Sequence, residues 1–168
     1  MNGKLLPVKS DFAQTIATDK RIKAPSGRLL QVAALVWRDN HGKLEVLLIT
    51  SRGTGRWIIP KGWPQVGKTL PQAALREAYE EAGVRGAVAV RPVGSYCYEK
   101  TDLPPEADCA FTVDVFPVHF SHQEKHYPER GERQGEWMSP KEAAKRVDEP
   151  ELKAILRRFA MATNMAAQ

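Results

Sequence analysis

Apolar and polar positions along the chain alternate between two rhythms, and the change of rhythm marks the elements. Residues 29–37 (LLQVAALVW) form a mostly apolar run that predicts a buried strand. Asp39-Asn40-His41-Gly42 is a turn signal, and 44–50 (LEVLLIT) reads as a second strand, so the two form a hairpin. Residues 57–60 predict a third short strand, closed by Pro60 and Gly62. From Thr69 the pattern turns helical. Thr69 as N-cap with Gln72 three residues on makes a capping box, and Pro71 falls in the first turn, where a missing N–H costs little. The helix is expected to run to Ala82 and to stop at Gly83. Further strands are expected within 87–98 and 110–119, a polar loop over 121–135 and a short strand at 136–138. Ser139-Pro140-Lys141-Glu142 opens a second helix with its own capping box, and a last helix is expected over 151–161. Strands on both sides of one central helix, with helices at the end, predict an α/β fold with a mixed sheet packed between helices.

A chain of 168 residues suits one sizeable core, so we read 27–163 as one domain, 1–26 as an irregular arm or edge strand and 164–168 as a tail. Two cysteines, Cys97 and Cys109, make no disulfide framework and are expected to be free thiols. No apolar run approaches the roughly 18 residues that span a bilayer, and the first residues carry no long apolar core. The expectation is a cytoplasmic protein with no membrane partner. The formal charge of +5 favours anionic partners without choosing among them.

The central helix carries the informative chemistry. Glu77, Glu80 and Glu81 are spaced i, i+3, i+4, which places three carboxylates on one helical face. Leu75, Ala78, Tyr79 and Ala82 are expected to pack from the opposite face. Like charges at this spacing repel, and a hard divalent cation relieves the repulsion; oxygen ligands select Mg²⁺, Mn²⁺ or Ca²⁺ rather than zinc. Taken alone, such a triplet is more often a solvated acidic face balanced by neighbours such as Arg76.

The surrounding residues change that balance. Gly62, Arg76, Glu77, Ala78, Glu80, Glu81, Gly83 and Val84 stand at the spacing of the pattern G-x5-E-x7-R-E-U-x-E-E-x-G-U, in which U is apolar. On these residues the chain resembles the Nudix hydrolases, with flanking elements that suit the family fold from about Gln31 to Phe159. One position departs: Lys68 stands where the pattern has glutamate. The resemblance implies an α/β/α sandwich and a metal-dependent pyrophosphohydrolase. In it Glu77, Glu80 and Glu81 would hold Mg²⁺ or Mn²⁺, and Arg76 would orient a glutamate of the cluster. A general base would come from a separate loop, with Glu129, Glu132 and Glu136 as candidates. Residues 131–137 (GERQGEW) are similar to the base-carrying loop of the sanitising nucleotide pyrophosphatases, which favours Glu132.

Residues 51–62 (SRGTGRWIIPKG) are similar to the segment before the box in diphosphoinositol polyphosphate and diadenosine polyphosphate phosphohydrolases. That likeness implies that Ser51, Arg52, Arg56 and Lys61 face phosphates, arginine as a forked donor and lysine as a point charge. Trp63 can stack on a base, and Tyr96, Tyr98 or His126 can line a pocket, although aromatics on strands are more often core. His41, His119, His122 and His126 show no metal-ligand spacing. The expected partner is a small phosphorylated substrate of polyphosphate type, with no stable nucleic-acid partner. Two other readings remain open: a house-cleaning nucleoside triphosphate pyrophosphatase, and a non-catalytic nucleotide-binding regulatory module, which Lys68 alone favours.

Overall fold

Strand β1 (Leu29–Asn40) is apolar almost throughout because both of its faces are covered. In the computed structural model, which describes Ala17, residues 22–99 and residues 110–166, its side chains alternate between two layers. Val32, Ala34 and Val36 pack beneath helix α1 (Leu70–Ala82), while Ala33 and Leu35 join the core under α2 (Pro140–Arg146) and α3 (Pro150–Ala166). The result is a mixed sheet between helices, as the sequence predicts. Each fully buried aliphatic side chain in these layers contributes about 1.5–3 kcal/mol over exposure.

The sheet is organised by two long strands. β1 runs parallel to β7 (Ala110–Gln123), with Leu29 beside Phe111 and Trp37 beside His119. The outer edge of each then changes partner. β1 pairs with β4 (Lys61–Gly62) at Val32 and Ala33, then with β2 (Lys43–Thr50) from Trp37 to Asn40. β7 pairs with β6 (Gly94–Glu99) from Ala110 to Val115, then with β5 (Val84–Val88) from Val118 to Gln123. β3 (Trp57–Ile58) and β8 (Gly135–Met138) both add to β2. Pro117 sits where β7 changes partner. Its carbonyl accepts from Ala89 N at 2.9 Å, so the N–H it lacks would also face that outer edge, where the ladder is interrupted.

Several expectations need adjustment. The span 87–98 is not one strand but two, broken around Arg91-Pro92. Pro60 does not end the third strand's path: Lys61 and Gly62 resume pairing, now with β1. β7 runs on to Gln123, and α3 extends to Ala166, into the span read as a tail. Ser139 caps α2 by accepting from Glu142 N, but the Glu142 carboxylate takes the Lys145 ammonium at 2.8 Å instead of closing a box. At α1 the box does close in both directions, Thr69 accepting from Gln72 N and Gln72 accepting from Thr69 N. Cys109 and most of the N-terminal arm lie outside the described residues; Cys97 is half-buried beside the Arg28 guanidinium. Among the described residues no helix is long and apolar enough to cross a membrane.

Candidate functional site

The buried stripe of α1 runs through Leu70, Ala73, Ala74, Ala78, Glu81 and Ala82. The carboxylates therefore border the packing face rather than opposing it, and Tyr79 stands outside the core with the Arg85 guanidinium 3.8 Å from its ring centroid. This placement gives the glutamates their character. Glu81 is only 8 % exposed. Burial, against the opposing pull of Arg133, pushes its carboxyl up to about 8. Burial and the charge of Glu80 push Glu77 up to about 7. Both carboxyls are braced by the segment around β4. Lys61 N donates to Glu81 Oε2 at 3.2 Å. Glu77 lies so close to Gly62 that any Cβ there would overlap its carboxylate, so the glycine is a requirement of this approach. Arg76 donates to Glu80 at 2.6 Å, one helical turn on, which fits the orienting role that the resemblance implies.

These residues open onto a cavity of about 690 Å³. Glu77, Glu80 and Glu81 line one side, joined by Glu129 from the loop after β7. Gln31, Lys61, Trp63 and Tyr98 line another part, and Arg52 reaches in from the loop after β2. Ser51, Arg56 and Glu132 stand outside this lining. Ser51 shares a hydrogen bond with Thr54, and Arg56 donates to the nearly buried Glu149 at 2.8 Å. Glu132 is half exposed, 3.5 Å from Arg52, and Glu136 on β8 pairs with Arg146. Tyr96 is fully buried and His126 exposed, so neither lines the cavity.

The loop is fastened at several points. Glu124 N donates to Gly83 O, Glu129 N donates to Glu80 O at 3.0 Å, and Tyr127 packs directly on Gly83. Arg133, which the sequence reading did not single out, completes the arrangement. Its side chain is 8 % exposed and donates to Glu81 at 3.2 Å, to Glu129 at 2.9 Å and to Thr50 O at 3.1 Å. A buried guanidinium thus stands between a helix carboxylate and a loop carboxylate, and offsets part of their repulsion.

The donor set of this wall, four carboxylates with no thiolate or imidazole, is that of a hard divalent cation. Among the described residues no three such groups converge on one point; Arg133 lies between Glu81 and Glu129. Glu77, Glu80 and Glu81, on one helix and one cavity, fit a cation by the chemistry of their donors.

Comparison with known proteins identifies the family and the fold. A family model described as NUDIX domain matches residues 27–159. Nudix hydrolase 13, mitochondrial, of Arabidopsis thaliana is 33 % identical over 109 residues, which is 62 % of this chain and 54 % of the relative. A mouse diphosphoinositol polyphosphate phosphohydrolase, 3-alpha, is 39 % identical over 62 residues, covering 37 % of this chain and 38 % of its own. The chain thus spans about half the length of the first of these relatives, and less of the second. In three dimensions the Ap4A hydrolase of C. elegans superposes with a TM-score of 0.59 at 22 % identity, over 81 % of this chain and 98 % of that one, a likeness of fold. With Gly62, Glu77, Glu80 and Glu81 of the box lining one cavity and the family model matching residues 27–159, the chain belongs to the Nudix family.

Proposed function

We propose that this protein is a metal-dependent pyrophosphohydrolase that cleaves a diphosphate linkage in a polyphosphate-rich small molecule, of the diadenosine polyphosphate or diphosphoinositol polyphosphate type. The observation that carries the reading is the meeting of Glu77, Glu80, Glu81 and Glu129 on one cavity that also receives Arg52 and Lys61. Glu77, Glu80 and Glu81 would hold Mg²⁺ or Mn²⁺. A cation bound there supplies charge neutralisation for phosphate oxygens and a more acidic water.

The chain's own residues account for the rest. Arg52 and Lys61 present positive charge to the phosphates, Arg52 from a side chain 58 % exposed, so it can meet substrate at the mouth. Arg76 holds the Glu80 carboxylate in one orientation. Glu129 is better placed than Glu132 to accept a proton from an attacking water, because it lines the cavity and its backbone is tied to α1. Arg56 serves the Glu149 pair in this reading. The test is phosphate release by the protein with Mg²⁺ and after exhaustive chelation. The panel is dinucleoside polyphosphates, nucleoside diphosphate sugars, nucleoside triphosphates and pyrophosphorylated inositols. Turnover that survives chelation, or none on any substrate with metal, would end the proposal.

A further inference from the structure

One part of the cavity lining holds a neutral pair, Gln31 and Tyr98, that has a direction. Gln31 lies within the apolar text of β1, is 4 % exposed, and lines the cavity all the same. Its partner is Tyr98, whose hydroxyl stands 2.6 Å from Gln31 Oε1. Lys61 Nζ lies 3.2 Å from that same hydroxyl and 4.4 Å from the centroid of the Tyr98 ring.

The order of donors follows from the chemistry of the three groups. An ammonium can only donate, so Lys61 donates to the Tyr98 oxygen. Burial pushes the phenol up to about 12, so Tyr98 keeps its proton at neutral pH. A separation of 2.6 Å is typical of O–H···O and short for N–H···O, so the Tyr98 proton is directed at an oxygen. That fixes the amide of Gln31 with its carbonyl toward Tyr98 and its NH₂ turned away. Among the described residues nothing accepts from that nitrogen, and it is not one of the sealed, unpartnered polar atoms. A buried amide with a fixed orientation and a donor end facing a cavity is set for an acceptor.

We propose that Gln31 is a specificity residue: its amide NH₂ donates to an acceptor oxygen of the phosphorylated substrate, and Tyr98 is the positioning residue that keeps it turned that way. The inference rests on the reading of the cavity as a phosphorylated-substrate site. A neutral donor selects by position. It adds no charge to the attraction that Arg52 and Lys61 exert on any phosphate, and it leaves a buried group unpaired when the acceptor is missing.

The test is binding rather than turnover. With Mg²⁺ present, isothermal titration calorimetry measures methylenediphosphonate and β,γ-methylene-ATP against the parent, Gln31→Met, Gln31→Glu and Tyr98→Phe. Mn²⁺ titration of each protein reports on the carboxylates separately. Both Gln31 variants are expected to weaken at least one probe about tenfold, and Tyr98→Phe about threefold, with Mn²⁺ affinity within about twofold of the parent. Equal loss for both probes places the acceptor on a phosphate, and loss for the nucleotide alone places it on the nucleoside; either supports the inference. Gln31→Met keeps the site neutral should the charge of Gln31→Glu disturb folding. Parent-like binding of both probes by Gln31→Met overturns it, as does a parent that binds Mn²⁺ but neither probe. A parent that binds no Mn²⁺ instead sinks the metal-dependent reading itself.

Discussion

The two elements of the cavity's acidic wall, helix and loop, are held by different means. On α1, three glutamates owe their positions to helical periodicity and to a helix fixed by a reciprocal capping box and a left-handed Gly83. Beside them, Glu129 sits in a loop and owes its position to a backbone hydrogen bond to Glu80, to Tyr127 packed on Gly83 and to the Arg133 guanidinium. The first element is local and would survive small changes elsewhere. The second depends on contacts between residues distant in sequence, among them the buried Arg133. Arg133→Met should therefore have the largest effect, since breaking a buried ion pair from one side costs about 3–5 kcal/mol. In chelator at pH 8, thermal unfolding of this variant should fall by roughly 6–20 °C, at about 2–4 °C per kcal/mol for a domain this size. A divalent cation should narrow the gap by supplying the charge that the variant lacks. An unchanged melting temperature would mean that the loop is held by its other contacts alone.

Within the helical element, Glu80→Gln and Glu81→Gln should each lower kcat by at least roughly tenfold with a smaller change in KM, as expected when a metal-held step is lost. Stability should move the other way for Glu81. Its folded carboxyl titrates near 8 and that of Glu77 near 7, against an ordinary 4.5. Between these limits the unfolded chain releases protons that the fold retains, so metal-free protein loses stability as pH rises from about 5 to 8. In chelator, Glu81→Gln should melt higher than the parent at pH 8 and equally at pH 5. A difference that does not grow with pH would show that Arg133 fully compensates the buried charge.

The contrast between helix and loop also explains what could be read in advance. Thr69, Gln72, Pro71 and Gly83 define α1 by local rules, and the glutamate spacing follows from them. Glu129, Glu132 and Glu136 share one polar stretch with no periodicity, so nothing local says which faces the cavity. That is decided by Glu129 N meeting Glu80 O and by Tyr127 packing on Gly83. Arg133 lies inside the stretch quoted for its likeness, but its burial depends on Glu81, which is distant in sequence. Gln31 did carry a signal: a lone polar residue in a buried apolar run asks for a partner. The break at Arg91-Pro92 was also visible, as a proline inside a presumed strand.

Arg56 illustrates the same point for the phosphate-facing segment. Its partners Asp148 and Glu149 come from the junction of α2 and α3. Glu149 is 7 % exposed, with one oxygen sealed and unpartnered, so losing Arg56 leaves a buried carboxylate without its cation. Arg56→Ala should cost about 1–2 kcal/mol of stability, discounted because the arginine is partly exposed, with substrate KM little changed. A selective rise in KM for long phosphate chains at unchanged stability would return Arg56 to the substrate.

The smallest effect is expected at Lys68, where the chain leaves the family pattern. A lysine about 4 Å from the carboxylates would oppose a bound cation by about 4 kcal/mol at an effective dielectric of about 20, enough to displace a weakly held ion. The backbone directs it elsewhere. Lys68 N donates to Gln65 O at 3.0 Å, and its carbonyl accepts from Ala17 N at 2.9 Å, while Gly67 N donates to Ala17 O. The turn is thereby pinned to residue 17, with Gly67 at a φ of +82° that a side chain would strain, and Lys68 is not among the residues that line the cavity. Lys68→Glu should then leave metal-dependent hydrolysis within about tenfold of the parent, a change of no more than about 1.4 kcal/mol in the barrier. The measurement is kcat/KM against Mg²⁺ concentration for both proteins. A larger gain, carried by tighter Mg²⁺ dependence, would show that the lysine turns inward when substrate arrives. An inactive parent restored to turnover by Lys68→Glu would make this chain a binding module whose carboxylate wall had lost its chemistry.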